Sequence, residues 1–334
     1  MERAEREEIA ARRLLSVVER HGAAIPRTLE QKISDAGPNP LRVDPHILTP
    51  VRNRLLQEGK LTATRRHNQL WYHLPSTSDT VVESRIAEQF EALRLTLDNA
   101  FKNRVGDALE IAVQRGLMES PVDFLGGFRG LTEAPTTSRL RKEEPPSIFN
   151  GRELAGNKRF DFLAGGPVWC GIECKNVREW LYPDRKEVQD LLNKSLEQDV
   201  VPVLVARRIP FVTRRVLQRC GMLVWETRHQ FYPPEYDNIA AQVKEKTSLG
   251  YFDIRVTDAP TTQLMDFLVR ILPEELPAAR ERFEQHKDLL SAYAGREMSY
   301  KSFAARVRRR QDGENEDRDP EPEDENGEVD AAPD

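Results

Sequence analysis

The chain has 334 residues, 39% of them hydrophobic and 31% charged, with a net charge of -5. That length allows two or three domains around a sizeable core, and no apolar run approaches the roughly 20 residues that span a bilayer, which argues against a membrane protein. The acidity is local: residues 311–334 hold twelve Asp or Glu and one Arg, a balance of -11, which leaves +6 on residues 1–310.

Three cysteines, Cys170, Cys174 and Cys220, give neither a disulfide framework nor zinc spacing. With no secretory apolar stretch at the N-terminus, a cytoplasmic location is expected. Periodicity predicts a helix over 8–20, a shorter one from Ile25 to Ile33, and a third from His46 to Gly59. The third carries Ile47, Leu48, Val51, Leu55 and Leu56 on one face, with Arg52 and Arg54 off it. Lys60–Thr64 and Gln69–Leu74 then read as strands around a basic tip, Arg65-Arg66-His67-Asn68. Three helices followed by a hairpin resemble a winged helix. The resemblance implies that the third helix enters the major groove, with Arg52 and Arg54 reading DNA while Arg65 and Arg66 clamp its backbone. Winged helices also dock proteins, and a solvated face uses arginine too. Residues 1–78 are assigned to this domain, closed by the linker Pro75–Asp79.

A long helical pattern runs from Val81 to Gly116 with a break expected near Asn99–Asn103, and Val122–Phe128 reads as a strand. Residues 129–157 show no period. So long a stretch in a compact domain is either a functional loop, bringing Arg139, Arg141 and Lys142 to DNA, or a disordered insertion. Two short alternating runs follow, Arg159–Leu163 and Val168–Cys174, separated by Gly165-Gly166-Pro167. Alternation puts Glu173 and Lys175 on one face, and Phe160, Phe162, Ile172 and Cys174 on the other. A two-residue turn would set Asp161 on the face opposite Glu173. A turn centred on Pro167, with three or five loop residues, sets the two acids across from each other, and the longer turn is preferred here. Asp184–Gln198 and Val212–Arg219 read as helices, and Val200–Ala206 and Met222–Trp225 as strands. This core is assigned to 79–235, and a mainly helical region to 236–310. There Tyr251–Val256 reads as a strand, Thr262–Leu272 and Glu274–Tyr293 as helices, and Tyr300–Arg310 as a basic helix. The tail at 311–334 lacks aromatics and is expected to be disordered; it either solubilises, binds a protein partner or competes with DNA.

Glu110 on the upstream helix, Asp161 on the first strand and Glu173-Cys174-Lys175 on the second resemble the active-site set of the PD-(D/E)xK nuclease superfamily, which includes restriction endonucleases and archaeal-type Holliday junction resolvases. Asn103–Glu110 is similar to the helix that supplies that family's first acid. Phe160 stands where the family motif has Pro, and the likeness covers roughly residues 81–226. It implies an α/β fold, a restriction-endonuclease-like mixed sheet flanked by helices and preceded by the winged helix. It further implies metal-dependent cleavage of DNA phosphodiesters, in restriction, phage defence or DNA repair. Mg²⁺, with Mn²⁺ able to substitute, would be held by Asp161, Glu173, the Cys174 backbone carbonyl and Glu110. Lys175 would orient water or neutralise developing charge, Gln189 would add a polar contact, and Asp107 is the alternative helix acid. The expected partner is double-stranded or branched DNA, with a homodimer needed for paired cuts. The alternatives are a structure-specific junction resolvase and a non-catalytic DNA-binding subunit that retains the nuclease fold.

Overall fold

In the computed structural model, residues 3–34, 43–131, 140–177, 179–244, 249, 256–257 and 259–315 are described. The first three helices are α1 (Arg3–His21), α2 (Pro26–Ser34) and α3 (Pro45–Gln57), followed by the antiparallel hairpin of β1 (Thr62–Arg66) and β2 (Gln69–His73). Leu14, Val18, Leu29, Ile33, Val51, Leu55 and Tyr72 close one core among them. The strands run through Arg65 and Arg66, so the turn is only His67-Asn68. Both residues have left-handed backbones, φ 51° and 57°, as a two-residue hairpin turn needs. The next helix, α4 (Asp79–Leu97), packs Val82, Ile86 and Leu93 against Ala23, Ile25 and Trp71 of this unit. It also braces the hairpin tip: His67 stacks on Phe90 with ring centres 4.0 Å apart.

The expected break in the long helical pattern falls at Asp98, whose side chain caps α5 (Asn99–Glu119) by accepting the Phe101 N–H. The strand predicted over Val122–Phe128 is two strands, β3 (Asp123–Leu125) and β4 (Gly127–Arg129), because Gly126 turns the chain at φ +94°. Gly126 also lies against the Asp161 carbonyl, 2.7 Å from where a Cβ would stand, so only glycine fits. The region without a sequence period holds β5 (Arg141–Glu143), paired with β4, and the small hairpin of β6 (Ile148–Phe149) and β7 (Arg152–Glu153). Arg139 lies outside the described residues.

The central elements are β8 (Phe162–Gly165), β9 (Trp169–Lys175), α6 (Lys186–Gln198), β10 (Val201–Ala206), α7 (Phe211–Arg219) and β11 (Leu223–Glu226). They form a five-stranded mixed sheet in the order β11-β10-β9-β8-β3, parallel from β9 to β11 and antiparallel from β9 to β3. Beyond it come β12 (Gln230–Phe231), α8 (Asp237–Lys244), β13 (Val256–Thr257) and α9 (Thr262–Asp266). A π-helical turn at Phe267–Ile271 leads into α10 (Leu272–Gln285), then α11 (Lys287–Ala294) and α12 (Tyr300–Asp312). The helix expected over Glu274–Tyr293 is therefore two, parted at His286. Of the strand expected over Tyr251–Val256, all but Val256 lies outside the described residues.

The chain is a mixed α/β protein with helices on both faces of this sheet. On one face Leu109 and Val113 of α5, with α9 and α10, cover Ile172, Cys174, Val203 and Val205. On the other, Leu191 and Leu192 of α6, Leu217, Leu290 and Phe303 cover Leu163, Leu204 and Ala206. Among the described residues no helix is long and apolar enough to cross a membrane.

The β8–β9 register pairs Phe162 with Ile172 and Gly165 with Trp169, which leaves the three-residue loop 166–168. This is the shorter of the two turns compatible with parity, not the longer one preferred from sequence. Both share one register, and the observed ladder ends at Phe162 and Ile172, one step short of Asp161 and Glu173. Phe160 departs from the expected alternation. It packs on the α6 face over Gly171, because the chain leaves the ladder at Asp161. A Cβ on Gly171 would run into the Phe160 ring. Gly171→Ala is therefore expected to destabilise the fold by about 1–3 kcal/mol, the usual cost of overpacking, measurable by denaturant unfolding.

Candidate active site

Every strand of the parallel half ends at the same edge, and Lys175 closes β9 there beside Ala206 of β10. Three polar clamps fix what surrounds that edge. Asn176 donates to the carbonyls of Val105 and Phe231 and accepts the Phe231 N–H at 2.9 Å, which ties α5 and β12 to the end of β9. Gln114, one helical turn after Glu110, pairs with the Phe128 backbone through both amide atoms, at 3.1 and 2.7 Å. That clamp holds β4, and hence its partner β5, over α5. Asp161 supplies the third: its Oδ2 accepts the Cys174 N–H at 2.8 Å, while its own N–H donates to Ile172.

The result brings Glu110 and Asp161 together around one cation from the chain itself. Lys142 Nζ on β5 lies 2.8 Å from Glu110 Oε2 and 3.2 Å from Asp161 Oδ1. Glu110 Oε2 is buried, and its contact with Lys142 lacks hydrogen-bond geometry. Burial, then the neighbouring Asp161 charge, pushes the Glu110 carboxyl up to about 8. Burial alone would lower the Lys142 pKa, but the Asp161 and Glu110 charges outweigh it and raise it. Asp107, the alternative helix acid, is raised by burial, and Lys142 and Asp161 both act on its charge, so it borders the same cluster.

Glu173 and Lys175 form a second, adjoining cluster. Lys175 Nζ lies 2.6 Å from Glu173 Oε1, and Lys194 of α6 pairs with Glu173 Oε2. Lys194 is 5% exposed, donates to the Arg159 carbonyl at 2.8 Å and lies over the Phe160 ring. Burial opposes the Lys175 charge, yet Glu173 and Asp161 raise its pKa overall, so Asp161 acts on both clusters. The four residues expected on one spot thus adjoin, but the three carboxylates do not form one ligand shell. Among the described residues no three His, Cys, Asp or Glu side chains stand ready to hold a metal ion. Gln189 lies elsewhere: its Oε1 accepts from Arg296 Nε at 3.0 Å, on the α6 flank facing α11. The Cys174 thiol is buried in the core, where burial drives its pKa well up, so only its backbone serves the edge.

Sequence reasoning missed Lys194, and named Lys142 only as a DNA contact, not as the partner of the two acids. Lys194 had a signal, since it sits three residues after Leu191 on the stripe that α6 buries. Lys142 stands in a segment without period, where nothing signalled that it would meet Glu110 and Asp161.

The Glu110–Asp161 pair fits a hard divalent cation. Mg²⁺ takes one or two carboxylates and keeps several waters. Lys142 already marks the position where positive charge is stable between these two oxygens. Glu173, held by two lysines, is not part of that pair.

The arginines of the N-terminal unit are mostly engaged within the chain. Arg54 pairs with Glu7 at 3.3 Å and Glu58 at 3.9 Å, Arg52 lies over the Tyr72 ring, and Arg66 pairs with Glu83 at 2.6 Å. Arg65 is exposed. Exposed pairs of this kind are worth under about 1 kcal/mol and exchange readily for another anion.

Glu110 makes the stability of the fold depend on pH. Its pKa is raised from 4.5 to about 8 on folding, so its contribution is fully present below 4.5 and is lost as pH rises through about 8. Glu110→Gln stays neutral, so its melting temperature should gain on the wild type across that interval and level off above it. Parallel melting curves at every pH would place no raised pKa on Glu110. No protein-family model, curated protein or solved structure matches the chain.

Proposed function

We propose that this chain is a Mg²⁺-dependent DNA endonuclease with a restriction-endonuclease-like core and an N-terminal winged helix. The observation that carries the reading is the meeting of a helix acid and a strand acid, Glu110 and Asp161, around one positive charge, beside Glu173 and Lys175 on the adjoining strand. Glu110 and Asp161 would hold Mg²⁺ or Mn²⁺, with the Cys174 carbonyl as a further oxygen ligand. When bound, the ion supplies polarisation of a phosphoryl oxygen and a lowered pKa for attacking water. Lys175 neutralises charge that grows on the phosphate oxygens, an interaction stronger in the transition state than in the ground state. Lys194 anchors Glu173 from α6, which fixes where Lys175 can reach. Lys142, which pairs with both acids, would have to leave its place between them for the ion to be held there.

The engagement of both acids by Lys142 favours a second reading, a non-catalytic DNA-binding subunit in which a lysine has replaced the metal. Incubation with supercoiled, linear, single-stranded and branched DNA, in Mg²⁺ or EDTA, separates the two. Mg²⁺-dependent cleavage of any of these supports the endonuclease, and the branched substrate identifies a junction resolvase. Binding without cleavage at any metal concentration supports the subunit.

A further inference from the structure

We propose that the outer face of α7 is a docking surface for an unpaired DNA strand, which assigns a substrate class to the site described above and rests on that nucleic-acid reading. The helix has the sequence FVTRRVLQR and contains three arginines and no acid. Thr213, Leu217 and Cys220 turn into the core, so Phe211, Arg214, Arg215 and Gln218, at i, i+3, i+4 and i+7, form one outward stripe.

Three observations set this stripe apart. Phe211 is 50% exposed, a large aromatic at a surface where most apolar side chains are covered. Arg214 and Arg215 each hold a guanidinium over its ring, at 5.9 and 5.8 Å, and neither forms an ion pair with an acid among the described residues. In the N-terminal unit, by contrast, Arg54 and Arg66 are paired with Glu7, Glu58 and Glu83. Finally, α7 follows β10 by a short connection at the edge where the acids lie. Ala206 is the register partner of Lys175, and the Arg207 N–H donates to the Lys175 carbonyl at 3.3 Å.

An exposed aromatic flanked by unpaired guanidiniums matches the chemistry of a nucleic-acid single strand. A base stacks on the ring while the arginines meet the phosphates on either side, and no base sequence is selected. A continuous duplex offers its phosphates but buries its base faces, so it can satisfy the arginines and not Phe211. The strand held on α7 would lead to the edge of β9, and the enzyme would favour DNA with a flap, gap or branch over blunt duplex.

Fluorescence anisotropy in EDTA tests this without catalysis, using a labelled single-stranded oligonucleotide and a blunt duplex of equal length. Phe211→Ala should weaken single-strand binding about 5- to 150-fold, the range for losing one stacked base, with a smaller effect on duplex. Phe211→Trp should keep the affinity and show quenching of tryptophan emission on binding, whereas Phe211→Leu should behave like Ala. Arg214→Ala with Arg215→Ala should lower the salt slope for single strand by about 1.4, two phosphates at about 0.7 each. Single-strand affinity and salt slope unchanged in all these variants would overturn the proposal. So would a change in oligomeric mass in Phe211→Ala, which would make the stripe an interface between copies. Cleavage keeps the two readings apart: α7-dependent binding with no cleavage sinks the endonuclease alone. Cleavage that persists with strand affinity indifferent to α7 sinks this surface alone.

Discussion

Asp161→Asn is expected to abolish Mg²⁺-dependent cleavage and to leave folding and DNA binding in place. The amide oxygen still accepts the Cys174 N–H that Asp161 accepts at 2.8 Å, so the end of β8 keeps its anchor. What is lost is the charge that, with Glu110, makes the cation position. Losing one preorganised electrostatic partner costs about 10²- to 10³-fold in rate, and a metal ligand should exceed that. Binding should hold or tighten, since a carboxylate leaves the path of the phosphate. Glu173→Gln should behave differently. It leaves Lys175 and the buried Lys194 without their shared counter-charge, and breaking a buried pair costs about 3–5 kcal/mol. A lowered melting temperature should therefore accompany its loss of cleavage. Wild-type rates in Asp161→Asn would remove that residue from the site.

Lys142→Met is expected to be less stable than the wild type without metal and to gain more stability from metal than the wild type does. Lys142 is the chain's own cation between Glu110 and Asp161. Without it, Asp161 loses its counter-charge beside a Glu110 carboxyl that is pushed still further up, and the variant should melt below the wild type in EDTA. In Mg²⁺ the ion takes the vacated position with no lysine to displace, so the variant should gain more than the wild type does. A ligand at a hundred times its Kd stabilises by about 2.7 kcal/mol, and the wild type should fall short of that at the same concentration. Thermal melts across a Mg²⁺ series measure it. Equal Mg²⁺ shifts in both proteins would mean that lysine and metal do not share a position.

What the sequence discloses here follows the physics of short-range pattern. Alternation and parity were enough to set the register of β8 on β9 from Phe162 to Gly165, because a one-residue slip would turn the whole apolar face outward. The same alternation failed at Phe160. The chain leaves the ladder at Asp161, whose side chain takes the Cys174 N–H, and glycine at 171 leaves room for the ring. Likewise Val122–Phe128 reads from sequence as one strand run. Only the close approach of Gly126 to the Asp161 carbonyl reveals that the run must break there, and that contact spans 35 residues.

The acids were legible because their type and order carry a chemical signature. The lysines that partner them were not, since a lysine is ordinarily a solvated residue and its burial is decided by tertiary structure. Lys194 interrupts an otherwise buried stripe, which is a readable anomaly. Lys142 becomes a site residue only through the Gln114 clamp on Phe128, which sets β4 and β5 over α5. The arginines of the N-terminal unit were assigned to DNA through the winged-helix resemblance; Glu58 lies one helical turn after Arg54, whereas Glu7 and Glu83 lie on elements that only folding brings near.

Metal binding at the Glu110–Asp161 pair is the claim on which the rest depends, and a Mn²⁺ titration followed by electron paramagnetic resonance measures it without reference to activity. The wild type should immobilise one Mn²⁺ per chain, and Mg²⁺ should displace it. The double variant Glu110→Gln with Asp161→Asn, folded by its melting curve, should immobilise none. A wild type that leaves all Mn²⁺ free, or a double variant that binds it as tightly as the wild type, would contradict the assignment of this pair as the metal centre.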